Sequence, residues 1–365
     1  MALLASGTRV NETLVVDRLL GEGAYAEVHR VRHTFLGWQA MKLFKRVATL
    51  DETNAMLDEA RLLSTLGHPN IVRLFDANTL ETGDGRRGYF TMEYIAGGSL
   101  QRLVRVHDDT SVPLDTAVQV IEQIASALVV AHQQSPPILH RDLTLANVLV
   151  GYDDTGMRVR LSDFGLSKRA DPVTQLASAQ GTYAFMAPEV QRLEGYSCAS
   201  DIWSLGTIAY RLLTGSHPYH NGNPFETFAI PRYTDAPLAP SQFNENIDKD
   251  LDQIVLAALT VDPADRTPNA VVLAEQLRER RGAAAKKIEV ETVPVVAQET
   301  RNGVSGAASR EERAWQLAGR ARELAKKPNT LQDAADVMEE AVTLSPAVRA
   351  RYVHLLTLWR RGVMV

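Results

Sequence analysis

Cysteine is almost absent from this chain of 365 residues, because Cys198 is the only one. A single cysteine forms no internal disulfide and supplies no cysteine-rich zinc site, so the sequence fits a reducing compartment and predicts a cytoplasmic location. The N-terminal residues Met-Ala-Leu-Leu-Ala lack the basic flank and the long apolar core of a secretory signal, so we expect none here.

Long apolar runs and a strong charge imbalance are also lacking. No stretch approaches about 18 consecutive apolar residues, so we expect no segment that spans a bilayer. The formal net charge is −5, from 39 basic and 44 acidic residues. This balance argues against a general nucleic-acid coat and against a binder of anionic membranes, and we expect neither partner. Hydrophobic residues make up 45% of the chain, which excludes wholesale disorder.

Composition divides the chain into three predicted parts. Residues 282–310 are small, polar and β-branched without a sustained period, which indicates a linker. Residues 13–281 are numerous enough for a large folded domain, and residues 311–363 have the pattern of a small all-helical module. The net charge is −8 over residues 1–281 and +3 over residues 282–365, so these two parts would attract each other weakly.

The large predicted domain changes its local pattern near residue 92. Before that point, β-branched and aromatic segments between Gly and Asp turns predict strands. These segments are Thr13–Leu20, Glu27–His33, Gln39–Phe44, Ile71–Asn78 and Tyr89–Tyr94. One helix is predicted from about Leu50 to Leu66, and helical periodicity dominates after residue 100, as in Leu114–Gln134. A β-rich lobe followed by a helical lobe places the domain in the α+β class.

A glycine-rich segment follows the first predicted strand. Gly21 and Gly23 begin the pattern G-x-G-x-x-A, which is also consistent with an ordinary turn between strands. A strand follows rather than a helix, which favours a hairpin closing over a triphosphate and disfavours a dinucleotide-binding fold. A Walker loop is excluded, because no Gly-Lys-Ser/Thr follows. Without Cβ atoms, the two glycines would let phosphate oxygens approach the backbone closely.

Two charged residues lie on apolar faces of the predicted small lobe. Lys42 follows Ala40 and Met41 in a strand, and Glu59 shares a helix stripe with Leu62. Buried charges need partners, so an ion pair between Lys42 and Glu59 would satisfy both. The alternative is a lysine whose ammonium reaches solvent beside a solvated glutamate.

Oxygen-bearing side chains follow two short predicted strands of the helical lobe. Asp142 and Asn147 belong to the run His-Arg-Asp-Leu-Thr-Leu-Ala-Asn, which follows a strand predicted at Ile138–Leu139. Asp163 begins the triplet Asp-Phe-Gly after a strand predicted at Val159–Ser162. Hard Mg²⁺ ions prefer such oxygen ligands and share them with substrate phosphates.

These motifs together resemble the eukaryotic-like (Hanks-type) protein kinase family, over about residues 15–280. The segment from Gly181 to Glu189 resembles that family's run ending in Ala-Pro-Glu. The segment that begins at Asp201 resembles the start of the buried helix that supports the catalytic loop in that family. Arg266 would pair with Glu189. Threonine at 182 is similar to the serine/threonine-specific branch, and compact connections are typical of bacterial members.

The resemblance implies a bilobal protein kinase fold that uses ATP and Mg²⁺ to phosphorylate serine or threonine of protein substrates, including itself. The implied ATP site comprises Leu20, Gly21, Gly23, Val28, Ala40, Lys42, Glu59 and the backbone around Glu93 and Ile95. Lys42 would hold the α and β phosphates, and Asp142 would accept the hydroxyl proton. Asn147 and Asp163 would hold Mg²⁺.

Two positions depart from the family pattern. Ala26 replaces the third glycine, which is a mild change. Thr144 stands where the serine/threonine branch usually has a lysine that contacts the γ-phosphate, and loss of one such donor costs on the order of 10²–10³ in rate. A slower kinase and a pseudokinase that binds ATP and signals by conformation therefore both remain open. A small-molecule kinase is a third alternative, disfavoured by Thr182 and the Ala-Pro-Glu run.

Regulation by phosphorylation is a further hypothesis from the resemblance. Arg141, beside the catalytic aspartate, is typical of kinases whose activation loop is ordered by a phosphate. Candidate acceptors are Ser167, Thr174 and Ser178.

The C-terminal module has the pattern of three helices. Thr330 is predicted to cap the second helix and Pro346 to begin the third. Ala334, Met338 and Ala341, with Pro346, match the second half of a tetratricopeptide repeat, whereas the first half fits poorly. A helical hairpin without repeat ancestry is equally consistent. The module is expected to pack on the kinase, to self-associate or to bind a protein partner.

Overall fold

The small lobe of the computed structural model is one antiparallel sheet. The structure describes residues 2–23, 26–45, 60, 64–107, 111–153, 156–164, 183–219, 233, 235–291, 306–326 and 330–360. The strands are β1 (Leu14–Glu22), β2 (Ala26–His33), β3 (Gly37–Phe44), β4 (Leu74–Thr82) and β5 (Gly85–Glu93), in the order β1-β2-β3-β5-β4. The predicted strands are therefore confirmed within a few residues, and most of the helix predicted near Leu50 lies outside the described residues.

The two faces of this sheet have different roles. Alternate residues such as Val31, Met41 and Leu43 form one apolar cluster, against which Leu3 and Leu4 of the N-terminal segment pack. The opposite face presents Val28, Ala40 and Met92 to the space between the lobes. The period-two alternation of β2 and β3 thus separates a structural face from the face that meets the candidate site.

The hinge, residues 93–98, leads from β5 into a helical lobe. Its helices and strands are α1 (Leu100–Val106), α2 (Leu114–His132), β6 (Val148–Asp153), β7 (Gly156–Leu161), α3 (Pro188–Gln191), α4 (Cys198–Thr214), α5 (Lys249–Ala258) and α6 (Ala270–Glu291). The expectation of a strand at Ile138–Leu139 is wrong. Ile138 instead donates its N–H to the carbonyl of Ala131, which folds the chain back against the end of α2.

Helix α2 is the central apolar helix of the large lobe. It is the one described helix that is long and apolar enough to cross a membrane by length and composition. Val120, Ile124 and Leu128 on it are buried among the other side chains of this lobe. The apolar side chains of α2 are therefore used to pack the core of the large lobe.

The C-terminal module consists of α7 (Gly306–Leu324), α8 (Leu331–Leu344) and α9 (Pro346–Arg360). Its buried residues are continuous with the core of the large lobe. Helix α6 continues to Glu291 and α7 begins at Gly306, so both ends of the predicted linker 282–310 are helical.

The two cap predictions for the module have different outcomes. Pro346 begins α9 as predicted, and the hydroxyl of Ser345 accepts the N–H of Val348. The cap predicted at Thr330 is wrong, because its hydroxyl donates to the carbonyl of Leu324 at the end of α7. Burial of Ala334, Met338 and Ala341 fits a packed hairpin with or without repeat ancestry.

Candidate active site

The glycine-rich hairpin forms the roof of the cleft between the lobes. Gly21 pairs with Val28 across β1 and β2, and the N–H of Gly23 bonds the carbonyl of Ala26 at 2.9 Å. A Cβ on Gly21 would meet nothing within 4 Å, and one on Gly23 would lie 3.7 Å from the Ala26 carbonyl. Neither glycine is required by the packing of the chain itself, which is consistent with a role in close approach to a ligand.

An apolar pocket lies beneath this roof. Ala40 and Met92 are buried there, and Val28, Tyr94 and Leu149 pack against them. Leu20 is 40% exposed at the rim. The pocket joins a cavity that extends inwards beneath the sheet. This cavity is lined by Lys42, Ile71, Val72, Leu74, Phe90, Met92, Leu161, Ser162, Asp163 and Phe164.

The hinge backbone borders the same pocket. The N–H of Glu93 donates to the carbonyl of Arg73 at 2.9 Å, and its carboxylate lies 3.2 Å from Nε of Arg160. An adenine edge would therefore meet the carbonyl of Glu93 rather than its N–H. The Cγ2 atom of Ile95 lies beside Gly151 at the start of the large lobe.

Lys42 reaches across the cleft to the second aspartate motif. Its Nζ lies 2.7 Å from Oδ1 of Asp163, and the lysine side chain is 16% exposed. Glu59, the predicted partner of Lys42, lies outside the described residues. The contact between Lys42 and Asp163 joins the two lobes at the position where the triphosphate is expected.

Asp142 and Asn147 form the second half of the polar cluster. The Asn147 amide donates to the backbone carbonyl of Asp142 at 2.7 Å and to its Oδ2 at 2.9 Å. Burial raises the pKa of the Asp142 carboxyl, and repulsion from Asp163 adds to this rise against the opposing effect of the Asn147 hydrogen bond. The amide thus fixes the direction of a carboxylate that water only partly solvates.

The loop that carries Asp142 is held from below by Asp201. Its carboxylate accepts the N–H of His140 at 2.7 Å and the N–H of Arg141 at 2.9 Å, and it lies 3.1 Å from Nε2 of His132. Arg141 and Asp163 both have positive φ angles, of 68° and 63°. Such backbone conformations are uncommon outside glycine and concentrate at functional loops.

The ion pair expected between Arg266 and Glu189 is present. The two guanidinium nitrogens lie 2.7 and 2.9 Å from the two carboxylate oxygens, and both side chains are buried. A bidentate pair of this kind fixes α3 to the segment that precedes α6 within the large lobe.

The donor set at the centre of the cleft fits a magnesium–nucleotide complex. Asp142 and Asp163 carry two negative charges against the one positive charge of Lys42. The remaining negative charge suits a divalent cation, and the oxygens of Asn147 and Asp163 are the ligands that Mg²⁺ prefers. The apolar pocket and the bare glycine backbone fit a base and its phosphates.

Sequence reasoning missed most of the apolar lining, including Val72, Met92 and Leu149. Alternation along β5 and β6 predicts which residues share a face, but it does not tell which face meets a cleft. Thr144 is 6% exposed, and its sequence neighbours Leu143 and Leu145 carry no cation that could replace the family's lysine. The predicted activation-loop positions Ser167, Thr174, Ser178 and Thr182 lie outside the described residues.

Residues 14–278 match the family model of the protein kinase domain. The chain therefore belongs to the protein kinase family, with the two-lobed fold and the motif residues placed along one cleft.

Its relatives include bacterial serine/threonine kinases. The chain is 32% identical over 265 residues to serine/threonine-protein kinase PknB of Mycobacterium leprae. This match covers 71% of this chain and 41% of that protein. A probable serine/threonine-protein kinase of Clostridium acetobutylicum is 28% identical over 74% of this chain and 40% of its own length. The chain thus spans about two fifths of the length of these relatives.

The fold is shared with solved structures. The crystal structure of the Mycobacterium tuberculosis PknI kinase domain superposes with a TM-score of 0.57 and 26% identity, over 76% of this chain and 99% of that one. These likenesses cover the kinase lobes, and the C-terminal helices extend the chain beyond them.

Proposed function

We propose that this protein transfers the γ-phosphoryl group of ATP to serine or threonine hydroxyls of protein substrates, including its own. The observation that carries this proposal is the cluster of Lys42, Asp142, Asn147 and Asp163 between an apolar pocket and a bare glycine backbone. Membership of the protein kinase family and similarity to bacterial serine/threonine kinases support it.

The reaction exchanges one phosphorus–oxygen bond for another. The hydroxyl oxygen forms a bond to the γ-phosphorus, the bond to the bridging oxygen of ADP breaks, and the hydroxyl proton passes to Asp142. Asn147 holds the Asp142 carboxylate in place, and Lys42 holds the α and β phosphates. A magnesium ion held by Asn147 and Asp163 would supply charge neutralisation at the phosphates.

The alternative of a catalytically silent ATP-binding scaffold rests on Thr144. This buried threonine cannot supply the charge that a lysine would direct at the γ-phosphate. We expect the substitution to slow the reaction rather than abolish it, because Lys42, Asp142, Asn147 and Asp163 are all retained.

Autophosphorylation with labelled ATP and Mg²⁺ tests this proposal. We expect label in the wild type and none in Asp142→Asn, which loses the proton acceptor. Thr144→Lys should increase the rate, by about 10-fold or more if the lysine reaches the γ-phosphate. Absence of label from the wild type, with ATP still raising its melting temperature, would favour the scaffold.

The surroundings of the protein are part of the same proposal. The single Cys198 and the moderate net charge of −5 support a cytoplasmic protein that acts on other proteins, without nucleic acid or membrane as partner. Fractionation of cells that produce the protein would test the location, since a membrane-pellet signal resistant to high salt contradicts it.

A further inference from the structure

One face of α8 carries acidic side chains that contact both lobes of the kinase. Asp333 Oδ1 lies 3.3 Å from Nη2 of Arg30 on β2, and Asp336 contacts Nη1 of the same guanidinium. Glu340, one to two turns further along, lies 2.6 Å from Nη2 of Arg102 on α1. A single helix of the C-terminal module therefore contacts chain segments on both sides of the hinge.

Arg30 connects the module to the hinge itself. Its guanidinium lies 4.0 Å from the ring centroid of Trp38 and 5.7 Å from that of Tyr94, a hinge residue. Its Nε donates to Asp17 at 2.7 Å, and the side chain is 4% exposed. The charge of Arg30 is thus buried between the hinge and α8, with acidic partners from both the small lobe and the module.

Glu339 lies against two glycines of the kinase lobes. Its Oε1 would lie 3.6 Å from a Cβ added to Gly97 in the hinge and 3.2 Å from one added to Gly151 on β6, although at Gly97 the carbonyl of Val150 already excludes a Cβ. Glu339 is buried, and it contacts the guanidinium of Arg360 on α9. Arg360 also lies 2.6 Å from Oδ1 of Asp336. The module therefore brings its own counter-ion to the acidic groups that it buries against the hinge.

A second contact joins the module to β6. Nη2 of Arg349 on α9 donates to the hydroxyl of Tyr152 at 2.9 Å, and its guanidinium lies 4.9 Å from the ring centroid. Tyr152 lies on β6, the strand that carries Leu149, which packs in the apolar pocket. The module thus contacts β2 through Arg30, α1 through Arg102 and β6 through Tyr152.

From these contacts we propose that residues 331–360 form an intramolecular clamp on the hinge. The clamp holds the two lobes in the arrangement seen here, and ATP binding and docking of the module stabilise each other. Separation of the lobes would break the contacts of Arg30 with Asp333 and Asp336, and buried charges that lose a partner are strongly unfavourable. The part of this proposal that concerns ATP rests on the proposed function.

Hydrogen exchange of the full chain without nucleotide is the first test. Asp336→Asn removes the charge shared by Arg30 and Arg360 and keeps the size of the side chain. We expect amides of the hinge and of β2 to exchange about tenfold faster, because local opening costs less. Glu323→Gln, which loses only a surface pair with Lys326 on the same module, should match the wild type. Unchanged hinge exchange in Asp336→Asn would overturn the clamp.

A charge exchange separates loss of docking from loss of module structure. Glu340→Arg places a second positive charge beside Arg102 and should speed hinge exchange. Glu340 also lies 3.9 Å from Nη2 of Arg313 on α7, but Arg313 is 69% exposed, so the change there should cost little. The double variant Arg102→Glu/Glu340→Arg restores the opposite charges and should restore the protection. Faster exchange that the double variant does not reverse would contradict a docking role for this pair.

Reciprocity between ATP and the module is the second test. Mg²⁺-ATP should slow exchange within residues 331–360, which lie outside the predicted nucleotide site, and Asp336→Asn should weaken ATP binding about 5- to 20-fold. A wild type that binds Mg²⁺-ATP with no change in the module would contradict the coupling. A wild type that binds ATP but transfers no phosphate would count against the proposed function only.

Discussion

Arg266 is a buried charged residue on which the packing of the large lobe depends. It donates to both oxygens of Glu189, and it lies 5.0 Å from the ring centroid of Trp203. Arg266 is 2% exposed and Glu189 is 5% exposed. Water cannot replace either partner, so each side chain depends on the other.

We therefore predict that Arg266→Met destabilises the protein by about 3–5 kcal/mol, because it leaves the Glu189 carboxylate buried without its counter-ion. Urea unfolding measures this loss. Arg192→Met is the matched control, since Arg192 pairs with Glu194 at the surface and should cost at most about 1 kcal/mol. The double variant Glu189→Leu/Arg266→Met should recover only part of the lost stability, because the carbonyls of Ala199, Thr260 and Val261 still lose the guanidinium that donates to them. A double variant less stable than the single one would contradict this account.

The polar residues of the candidate site could be predicted from the sequence, because these residue types in this sequence order rarely serve another purpose. Asp142, Asn147 and Asp163 stand in two motifs that resemble those of protein kinases, and the structure pairs Asn147 with Asp142 and Lys42 with Asp163. Leu149 and Met92 could not be found in this way, because an apolar residue in a strand packs equally well in a core or under a ligand. Only the position of the cleft distinguishes these roles.

At the scale of elements, close contact between α4 and α5 depends on a glycine. A Cβ on Gly206 would lie 2.9 Å from Cβ of Ala258 and 3.2 Å from Cγ of Leu259. Both neighbours are buried, so neither can move aside easily. Gly319 in α7 has no such constraint, since its added Cβ would meet nothing within 4 Å.

The same substitution should therefore have opposite effects at these two helical glycines. Gly206→Ala is predicted to destabilise the protein by about 1–3 kcal/mol through overpacking. Gly319→Ala should stabilise it by up to about 1 kcal/mol, because alanine is the better helix former. Thermal and urea unfolding of both variants measure these effects. Stabilisation by Gly206→Ala would show that α4 and α5 can separate without cost.

The cap of α8 shows why helix ends were predicted unevenly. Thr330 is a good capping residue by type, but its hydroxyl donates a hydrogen bond to the carbonyl of Leu324 at the end of α7. The connection between the two helices is short, so two helix ends compete for one side chain. Ser345 has no such competitor and accepts the N–H of Val348.

At the scale of the whole molecule, the net charges of the two parts predict a weak attraction but not which side chains make the contact. The C-terminal part is net positive and the kinase part net negative, yet the acidic residues Asp336 and Glu340 of the module meet the basic residues Arg30 and Arg102 of the kinase. The contact depends on the charges of the one helix face that docks, whereas the net charge also counts every residue that lies elsewhere. The sequence predicted that the module exists but could not place it.

Because the buried side chains of the module are continuous with the core of the large lobe, we expect the two to unfold together. Trp359 is 2% exposed within the module, and Trp359→Ala should cost about 3–5 kcal/mol. For a chain of this size, that loss corresponds to a decrease of about 4–7 °C in melting temperature.

Calorimetry should show one transition in the wild type and one, at lower temperature, in the variant. Phe35→Ala, at a side chain that is 82% exposed, is the control and should leave the transition in place. A small early transition with the main one unmoved would mean that the module unfolds alone, and the continuity of the core would then contribute little to the stability of the kinase lobes.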